Sequence, residues 1–200
     1  MEIRLIGYPS DEDWIQVKAR ALVTVGKEAK TVPDSSWKKR ILEARHSPIR
    51  YLRYSFYIKD IPSWVATHLA RHVHAQPYIR SQRNDRQNEY DRNAARQDAP
   101  VDMIYDVNAE ELMVIANKRL CNQASEETRN VVRMMCDEAV KVTPELKELL
   151  VPACIYQNGA CHEMFPCYKN SIKEENMKKV EDGSEYVEFC SECKISYEPG

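Results

Sequence analysis

Residues 51–83 read YLRYSFYIKDIPSWVATHLARHVHAQPYIRSQR, and the hydrophobic period changes within this stretch. From Leu52 to Ile58 apolar and polar residues alternate, which predicts a half-buried strand. Residues 60–63, DIPS, form a helix-start signal, because proline is favoured in a first helical turn. The apolar residues that follow recur at helical spacing and predict a helix that ends near His72. A strand followed directly by a helix is therefore the centre of the predicted fold.

An arginine-rich segment follows this helix. Six arginines lie between Arg71 and Arg96, whereas no lysine occurs from residue 60 to residue 117. A guanidinium matches phosphate and carboxylate groups bidentately and an ammonium does not, so the run predicts recognition of an anion. Residues 84–99 are polar and lack periodicity, and they predict a long loop or an irregular helix, a type of segment that is often functional.

The N-terminal quarter of the chain predicts one strand and two helices. Residues 2–6 alternate charged and apolar side chains, as a short strand does. Ser10 is a predicted N-cap, and Asp13 lies in the capping-box position. A second helix is predicted to begin at Ser35 or Ser36 and to end near residues 46–48, because Pro48 disfavours helical geometry before it.

The second half of the chain is predicted to be mainly helical after one strand at residues 100–107. Asn108 and Glu111 have capping-box spacing, which predicts a helix whose C-terminal end carries Arg119, where the helix dipole favours a cation. Ser125 caps a predicted helix after it, and Thr143-Pro144 opens a short last helix.

The composition favours one ordered domain with an appendage. The chain has 200 residues, of which 43% are hydrophobic and only five are glycine. The net charge of −2 disfavours a general nucleic-acid binder. No apolar run approaches the ~20 residues of a membrane span, and the N-terminus lacks a signal-peptide pattern, so we expect a cytoplasmic protein without a membrane partner. We predict a catalytic domain of residues 1–150 and a cysteine-rich extension of residues 151–200.

Five of the seven cysteines lie in that extension. The pair Cys190 and Cys193 has the C-x-x-C spacing of two tetrahedral zinc positions. The candidate zinc ligands are Cys154, Cys161, Cys167, Cys190 and Cys193, with His162 as a spare. The alternative is a set of reduced thiols, which is the usual state of cysteines in the cytosol.

Several short motifs resemble the flavin-dependent thymidylate synthases, the ThyX family. Residues 71–73 read Arg-His-Val, and seven residues separate them from Ser81, which Gln82-Arg83 follow. This spacing is similar to the family signature, which is Arg-His-Arg, seven residues and then Ser. Three further segments agree in order with family motifs. They are HSP at 46–48 before YSFY at 54–57, Asn108-Ala109 at a helix start, and Arg119 before QASEE at 123–127. The resemblance covers about residues 1–150.

The resemblance implies an α+β fold with an antiparallel or mixed sheet, packed helices and an obligate homotetramer with active sites shared between subunits. It implies an FAD-dependent methyltransferase that methylates dUMP at C5, with methylenetetrahydrofolate as carbon donor and NADPH as reductant of the flavin. By motif position, the implied dUMP-binding residues are His68, Arg71, Ser81, Arg83 and Arg119, of which Ser81 and Arg119 are the implied catalytic residues. The implied FAD-binding residues are Tyr51, Ser55, Arg71, His72 and Asn108.

The sequence departs from the family pattern at four positions near the flavin motifs. Val73 replaces the second arginine of the signature, Ile79 replaces an acidic residue, Glu110 replaces an arginine and Val114 replaces an asparagine. Two alternatives therefore stay open beside a divergent, compact thymidylate synthase. One is a related enzyme that modifies pyrimidine nucleotides, and the other is a non-catalytic nucleotide or nucleic-acid binder.

Overall fold

The computed structural model describes residues 1–83, 91, 93–157, 161–164, 166 and 167. Its sheet has four antiparallel strands in the order β1-β2-β4-β3. The strands are β1 (Glu2–Gly7), β2 (Arg53–Pro62), β3 (Gln76–Ile79) and β4 (Pro100–Asn108). The helices are α1 (Asp11–Val23), α2 (Ser35–Glu43), α3 (Ser63–Ala70), α4 (Ala109–Arg119), α5 (Glu126–Val142) and α6 (Ala153–Tyr156), with 3₁₀ helices at Ser47–Tyr51 and Pro144–Leu146. The predicted α+β class, an antiparallel sheet with packed helices, is confirmed.

The helices cover one face of the sheet. The alternating apolar residues that were predicted to share one face of β2 are buried, as are alternate residues of β4, and the hydroxyl of buried Tyr54 donates to Thr143 Oγ1 at 2.8 Å. On the opposite face, Tyr57, Ile104 and Tyr78 lie side by side across three strands, and Tyr78 is 59% exposed. Period-two alternation therefore separated the two faces correctly.

Three predicted helix caps are confirmed. The side chains of Ser10, Asn108 and Ser125 accept hydrogen bonds from backbone N–H groups in the first turns of α1, α4 and α5. The capping box at Ser10 is complete. The box predicted at Asn108 is wrong in its second half, because the Glu111 carboxylate turns to the ring of His72 instead of reaching back.

Helix α3 begins at Ser63, the last residue of the predicted start signal, and ends two residues before the predicted His72. Ile61 and Pro62 belong to β2, where they pair with β4 after a bulge, and the helix ends at Ala70 rather than His72. Asp60 adopts φ 55 at the bulge, and its N–H donates to the Asp102 side chain at 3.0 Å. Pairing with β4 therefore overrides the local helix-start signal of residues 60–63.

Strand β3 (Gln76–Ile79) was not predicted from the sequence. Its four residues pair with β4, with Tyr78 opposite Ile104. Pro77 lies within this strand, and β3 is at the edge of the sheet, where a residue without an N–H is tolerated. A four-residue strand that contains proline gives almost no periodic signal.

The start of the predicted extension packs on the helices. Asn117 Nδ2 donates to the Val151 carbonyl at 2.7 Å, and the Arg45 guanidinium lies 4.4 Å from the ring centroid of Tyr156. The domain boundary at residue 150 stays a prediction. Residues 84–90 and 92 of the predicted loop, and both Cys190 and Cys193, lie outside the described residues. Among the helices that the structure does describe, none has the length and apolar character of a membrane span.

Candidate active site

A chain of three side chains joins the first turn of α4, the end of α3 and the last turn of α4. Glu111 Oε1 lies 3.1 Å from His72 Nδ1, and Arg119 Nε donates to His72 Nε2 at 3.1 Å. The side chains of His72 and Glu111 are only 9% and 7% exposed. Glu111 and Arg119 are eight residues apart on one helix, so they lie on nearly the same face, and the imidazole bridges them.

These contacts fix the protonation state of His72. An arginine Nε–H can only donate, so His72 Nε2 must accept and carries no proton, and Nδ1–H then donates to Glu111. Burial, together with the nearby positive charge of Arg119, lowers the pKa of His72 to about 4. The His72–Glu111 contact is therefore a hydrogen bond from a neutral imidazole rather than an ion pair.

Arg119 also closes the end of α3. Its Nη2 donates to the His68 carbonyl at 3.2 Å, which is one of the carbonyls that an ending helix leaves without an intrahelical partner. Burial and the positive charge of Arg71 lower the pKa of Arg119, so a second guanidinium acts on this site. The structure thus brings Arg119, His68, His72 and the adjacent Arg71 together at the end of α3.

The His68 ring is held from two sides. Its centroid lies 5.4 Å from that of Trp64 in an edge-on arrangement, and its Nδ1 is 3.5 Å from Thr128 Oγ1 on α5. Thr128 is fully buried. Sequence reasoning did not select Thr128, because a threonine in the first turn of a capped helix is ordinary.

Glu111 is the main residue that sequence reasoning missed. Its backbone N–H donates to Asn108 Oδ1 at 3.0 Å, and burial raises the pKa of its carboxyl. The hydroxyl of Tyr105 lies beside the same cluster and donates to the Leu69 carbonyl at 3.0 Å. The Asn-x-x-Glu spacing was the available signal, but a capping box uses the same residues.

The residues with implied FAD contacts lie at one end of the sheet. Asn108 pairs with Arg53 at the start of β2, and Ser55 pairs with Asp106 two residues before Asn108, with a hydrogen bond between the Ser55 and Asp106 side chains. Tyr51 precedes β2, is 40% exposed and lies under the Arg20 guanidinium at 4.0 Å. His72 joins this end through Glu111.

Ser81 and Arg83 lie elsewhere. Strand β3 begins opposite Asp106 and runs away from the α4 end, and the Arg80 N–H donates to the Asp102 carbonyl. At roughly 3.3 Å per residue, the position opposite Asp102 is about 20 Å along β4 from Asn108. The Arg83 N–H donates to Ser81 Oγ at 3.3 Å, a local turn contact. Ser81 and Arg83 thus follow the part of β3 that lies away from Asn108.

The positions that depart from the family motifs are mostly at the surface. Val73 is 87% exposed and Ile79 is 39% exposed. Glu110 forms an ion pair with Arg50. These substitutions change what the site offers a ligand, without filling or emptying the core.

The described part of the chain contains no preformed zinc site. Among those residues, no group of three or more histidine, cysteine or acidic side chains is arranged to hold a metal. Cys154, Cys161 and Cys167 are partly buried thiols there. A cavity of about 230 Å³ beside Arg119 is lined by Lys118, Arg119, Cys121, Gln123, Ala124 and Glu163. Zinc binding by a set that includes Cys190 and Cys193 stays a prediction.

Comparison with known proteins points to one family. Residues 86–145 match the family model described as Thymidylate synthase complementing protein. The fold is similar to that of Thymidylate Synthase X (ThyX) from Helicobacter pylori with FAD and dUMP, at TM-score 0.57 and 16% identity, over 69% of this chain and 93% of that chain. It is also similar to the UMP/dUMP methylase PolB from Streptomyces cacaoi bound with 5-Br dUMP, at TM-score 0.59 and 16% identity, over 74% of this chain and 93% of that chain. No curated protein matches the chain.

The four-stranded antiparallel sheet with helices on one face defines a protein of the ThyX fold. The matched segment holds Asn108, Arg119 and the residues between them, which form one side of the candidate site. Over residues 86–145 the chain matches the family model, and its fold is similar to that of the solved ThyX structures.

Proposed function

We propose that this chain is a flavin-dependent thymidylate synthase that methylates dUMP at C5, with methylenetetrahydrofolate as carbon donor and NADPH as reductant. The observation that carries the proposal is the Arg119 guanidinium, held between His72 Nε2 and the His68 carbonyl next to Arg71. These are residues of the motifs that the sequence has in common with the family.

The chemistry suits a pyrimidine anion. A fixed guanidinium at a uracil carbonyl stabilises negative charge that develops on the ring when C5 is activated. Arg119 is partly buried and already oriented by two acceptors, so little reorganisation is needed when that charge appears. Arg71 is exposed at the same end of α3 and is suited to the phosphate.

The residues at the Asn108 end of the sheet offer chemical groups that suit FAD. Tyr51 provides a partly exposed aromatic ring, Ser55 a hydroxyl, and Arg71 an exposed guanidinium. When bound, FAD supplies the hydride chemistry, and the protein supplies binding and orientation. His72 has both ring nitrogens engaged, so its part toward the flavin is packing rather than a new hydrogen bond.

A shared site in a homo-oligomer, proposed here as a homotetramer, accounts for Ser81 and Arg83. Within one chain they follow β3, which runs away from Asn108 and the start of α4. A second copy that presents its Ser81 and Arg83 to the first copy's Arg119 completes a nucleotide cradle. The solved ThyX structure from Helicobacter pylori holds FAD and dUMP, which supports this ligand pair for the fold.

A second candidate activity is methylation of a ribonucleotide. The similar structure of the UMP/dUMP methylase PolB favours it, because that protein's name covers both nucleotides. The changes at Val73 and Glu110 also alter the residues near the implied flavin site. Incubation with dUMP or UMP, followed by mass measurement of the product, separates the two activities, because only the accepted nucleotide gains about 14 mass units, the mass of a CH₂.

Calorimetric titration with dUMP, with and without saturating FAD, tests the proposal. We expect heat of binding for dUMP, a flavin absorption spectrum, and tritium release from C5-labelled dUMP when both cosubstrates are present. No heat of dUMP binding with FAD saturating would overturn the proposed function.

A further inference from the structure

We propose that Glu111 is a positioning residue, which holds His72 in one tautomer and through it aims the Arg119 guanidinium at the ligand. The inference rests on the proposed function for the identity of that ligand. It concerns a residue that the family motifs quoted above do not assign.

The direction of the hydrogen bonds carries the argument. Arg119 Nε donates to His72 Nε2 at 3.1 Å, which requires an unprotonated Nε2. The proton then resides on Nδ1 and needs a buried acceptor, and Glu111 Oε1 lies 3.1 Å away. Each of the three groups is therefore set by the next one in the chain.

Local structure makes Glu111 suited to this task. Asn108 Oδ1 accepts the Glu111 N–H and anchors the residue in the first turn of α4. Asn108 is the last residue of β4, and the Glu111 carboxylate lies against His72 instead of reaching back to cap it. The positive end of the α4 dipole favours an anion at this position. The carboxylate can then remain close to His72 although it is almost fully buried.

Without Glu111 the positioning fails by a specific route. His72 Nδ1–H loses its buried acceptor, and an unsatisfied buried donor is unfavourable. The ring therefore turns, or its proton moves to Nε2. A protonated Nε2 faces the Arg119 Nε–H, and two donors repel each other. Arg119 then loses its hydrogen bond to His72 and keeps the one to the His68 carbonyl. A single hydrogen bond no longer fixes the plane of the guanidinium.

The test compares Glu111→Ala and Glu111→Gln in the full-length protein. Glutamine keeps an oxygen that accepts from Nδ1–H, so Glu111→Gln is expected to behave as wild type, whereas alanine removes the acceptor. Glu138→Ala and Glu138→Gln are matched controls, because Glu138 on α5 pairs with Lys141 instead of a site residue.

The first readout is nitrogen-15 NMR of protein with labelled histidine and arginine. The chain has five histidines, and His72→Gln identifies the His72 signals. Wild type and Glu111→Gln are expected to show the Nδ1–H tautomer and a slowly exchanging Arg119 Nε–H. Glu111→Ala is expected to show mixed tautomers and an exchange rate raised about tenfold or more, since one hydrogen-bonded partner is lost. Unchanged His72 and Arg119 signals in Glu111→Ala would overturn the inference.

The second readout is the dUMP dissociation constant. It is expected to rise about tenfold in Glu111→Ala and to stay within about twofold in Glu111→Gln. Altered NMR signals together with wild-type dUMP affinity in Glu111→Ala also overturn the inference. If wild-type protein binds no dUMP, the proposed function is what fails, and the NMR comparison alone decides whether Glu111 positions Arg119. If Glu111→Ala does not fold, Glu111→Leu fills the volume and replaces it in both readouts.

Discussion

The end of α3, with its Glu111–His72–Arg119 chain, is built differently from the edge beyond β3 that carries Ser81 and Arg83. In the first region two of the three side chains are less than a tenth exposed, and hydrogen bonds from His72 to Glu111 and Arg119 tie the end of α3 to α4. In the second region Arg83 is exposed on a segment that follows an edge strand of four residues. Buried side-chain hydrogen bonds fix the geometry of the first region, whereas the second region follows a short strand at the edge of the sheet.

The largest expected effect follows from Arg119→Met, which breaks the first region. The substitution removes the donor to His72 Nε2 and to the His68 carbonyl while it keeps most of the apolar volume. It also removes the proposed contact of the guanidinium with the uracil carbonyl, and a hydrogen bond to a charged group contributes about 1.5–3 kcal/mol, so we expect dUMP affinity to fall about 100-fold. Calorimetry with saturating FAD measures it.

Arg119→Lys is the informative control for this prediction. Lysine keeps the charge but lacks the planar fork, so it cannot reach both acceptors in the same geometry. We expect a loss between those of wild type and Arg119→Met. Wild-type affinity in Arg119→Met would show that this guanidinium only closes the end of α3.

The second largest effect is a pH dependence of stability that originates in His72. Its pKa is lowered from 6.5 to about 4, first by burial and then by Arg119, so between these values the unfolded chain binds more protons than the folded chain. Stability therefore rises with pH across this window and falls toward pH 4, by about 3 kcal/mol at most. Urea unfolding at a series of pH values measures it.

The other groups around His72 shape the same curve. Burial raises the pKa of Glu111, which makes the folded chain bind more protons and offsets part of the His72 effect. Tyr105 and Arg119 do not titrate in this range. His72→Gln removes the imidazole and should flatten the curve between pH 6.5 and 4. An unchanged slope in that variant would contradict the assignment to His72.

A smaller effect is expected in the second region, from Arg83→Ala. Since Arg83 is exposed, we expect a stability change within about 0.5 kcal/mol. We expect dUMP affinity to fall about tenfold through the loss of one charge-assisted contact. In Arg83→Ala we therefore expect a change of dUMP affinity without a change in the free energy of unfolding.

Co-expression of the Arg83→Ala and Arg119→Met variants tests whether the two regions form one site at an interface between chains. In a shared site, co-expressed Arg83→Ala and Arg119→Met subunits regenerate some sites with both arginines intact. We expect tritium release from C5-labelled dUMP to exceed the sum of the two separate variants. Activity no higher than that sum indicates that both residues act in the same chain.

The sequence predicted the parts of the fold that depend on local pattern. Alternation identified β1 and β2, and the caps at Ser10, Asn108 and Ser125 marked three helix starts correctly. Strand β3 was missed because its pairing with β4 supplies what four residues with a proline cannot encode locally. The start signal of α3 lies mostly in β2 for the same reason, since pairing extends β2 through Pro62.

The candidate site was predictable only as a set of residue types. Motif spacing selected His72 and Arg119, but their contact joins residues 47 apart in sequence, and nothing local encodes it. The same limit hid the role of Glu111, whose position three residues after Asn108 indicated a cap. Long-range packing decided which of two ordinary uses of a glutamate the molecule adopts.

The smallest expected effect sharpens the comparison at the turn between the two regions. Val73 follows His72, is 87% exposed and replaces an arginine of the family signature, so Val73→Arg adds a guanidinium without disturbing the core. We expect FAD affinity to rise about tenfold, through one charge-assisted hydrogen bond to the cofactor. Fluorescence quenching of FAD measures it.

Val25→Arg adds the same charge at an exposed residue beyond α1 and should change FAD affinity little. Equal gains in both variants would mean that general charge attracts the flavin, and the signature position would then have no special relation to it.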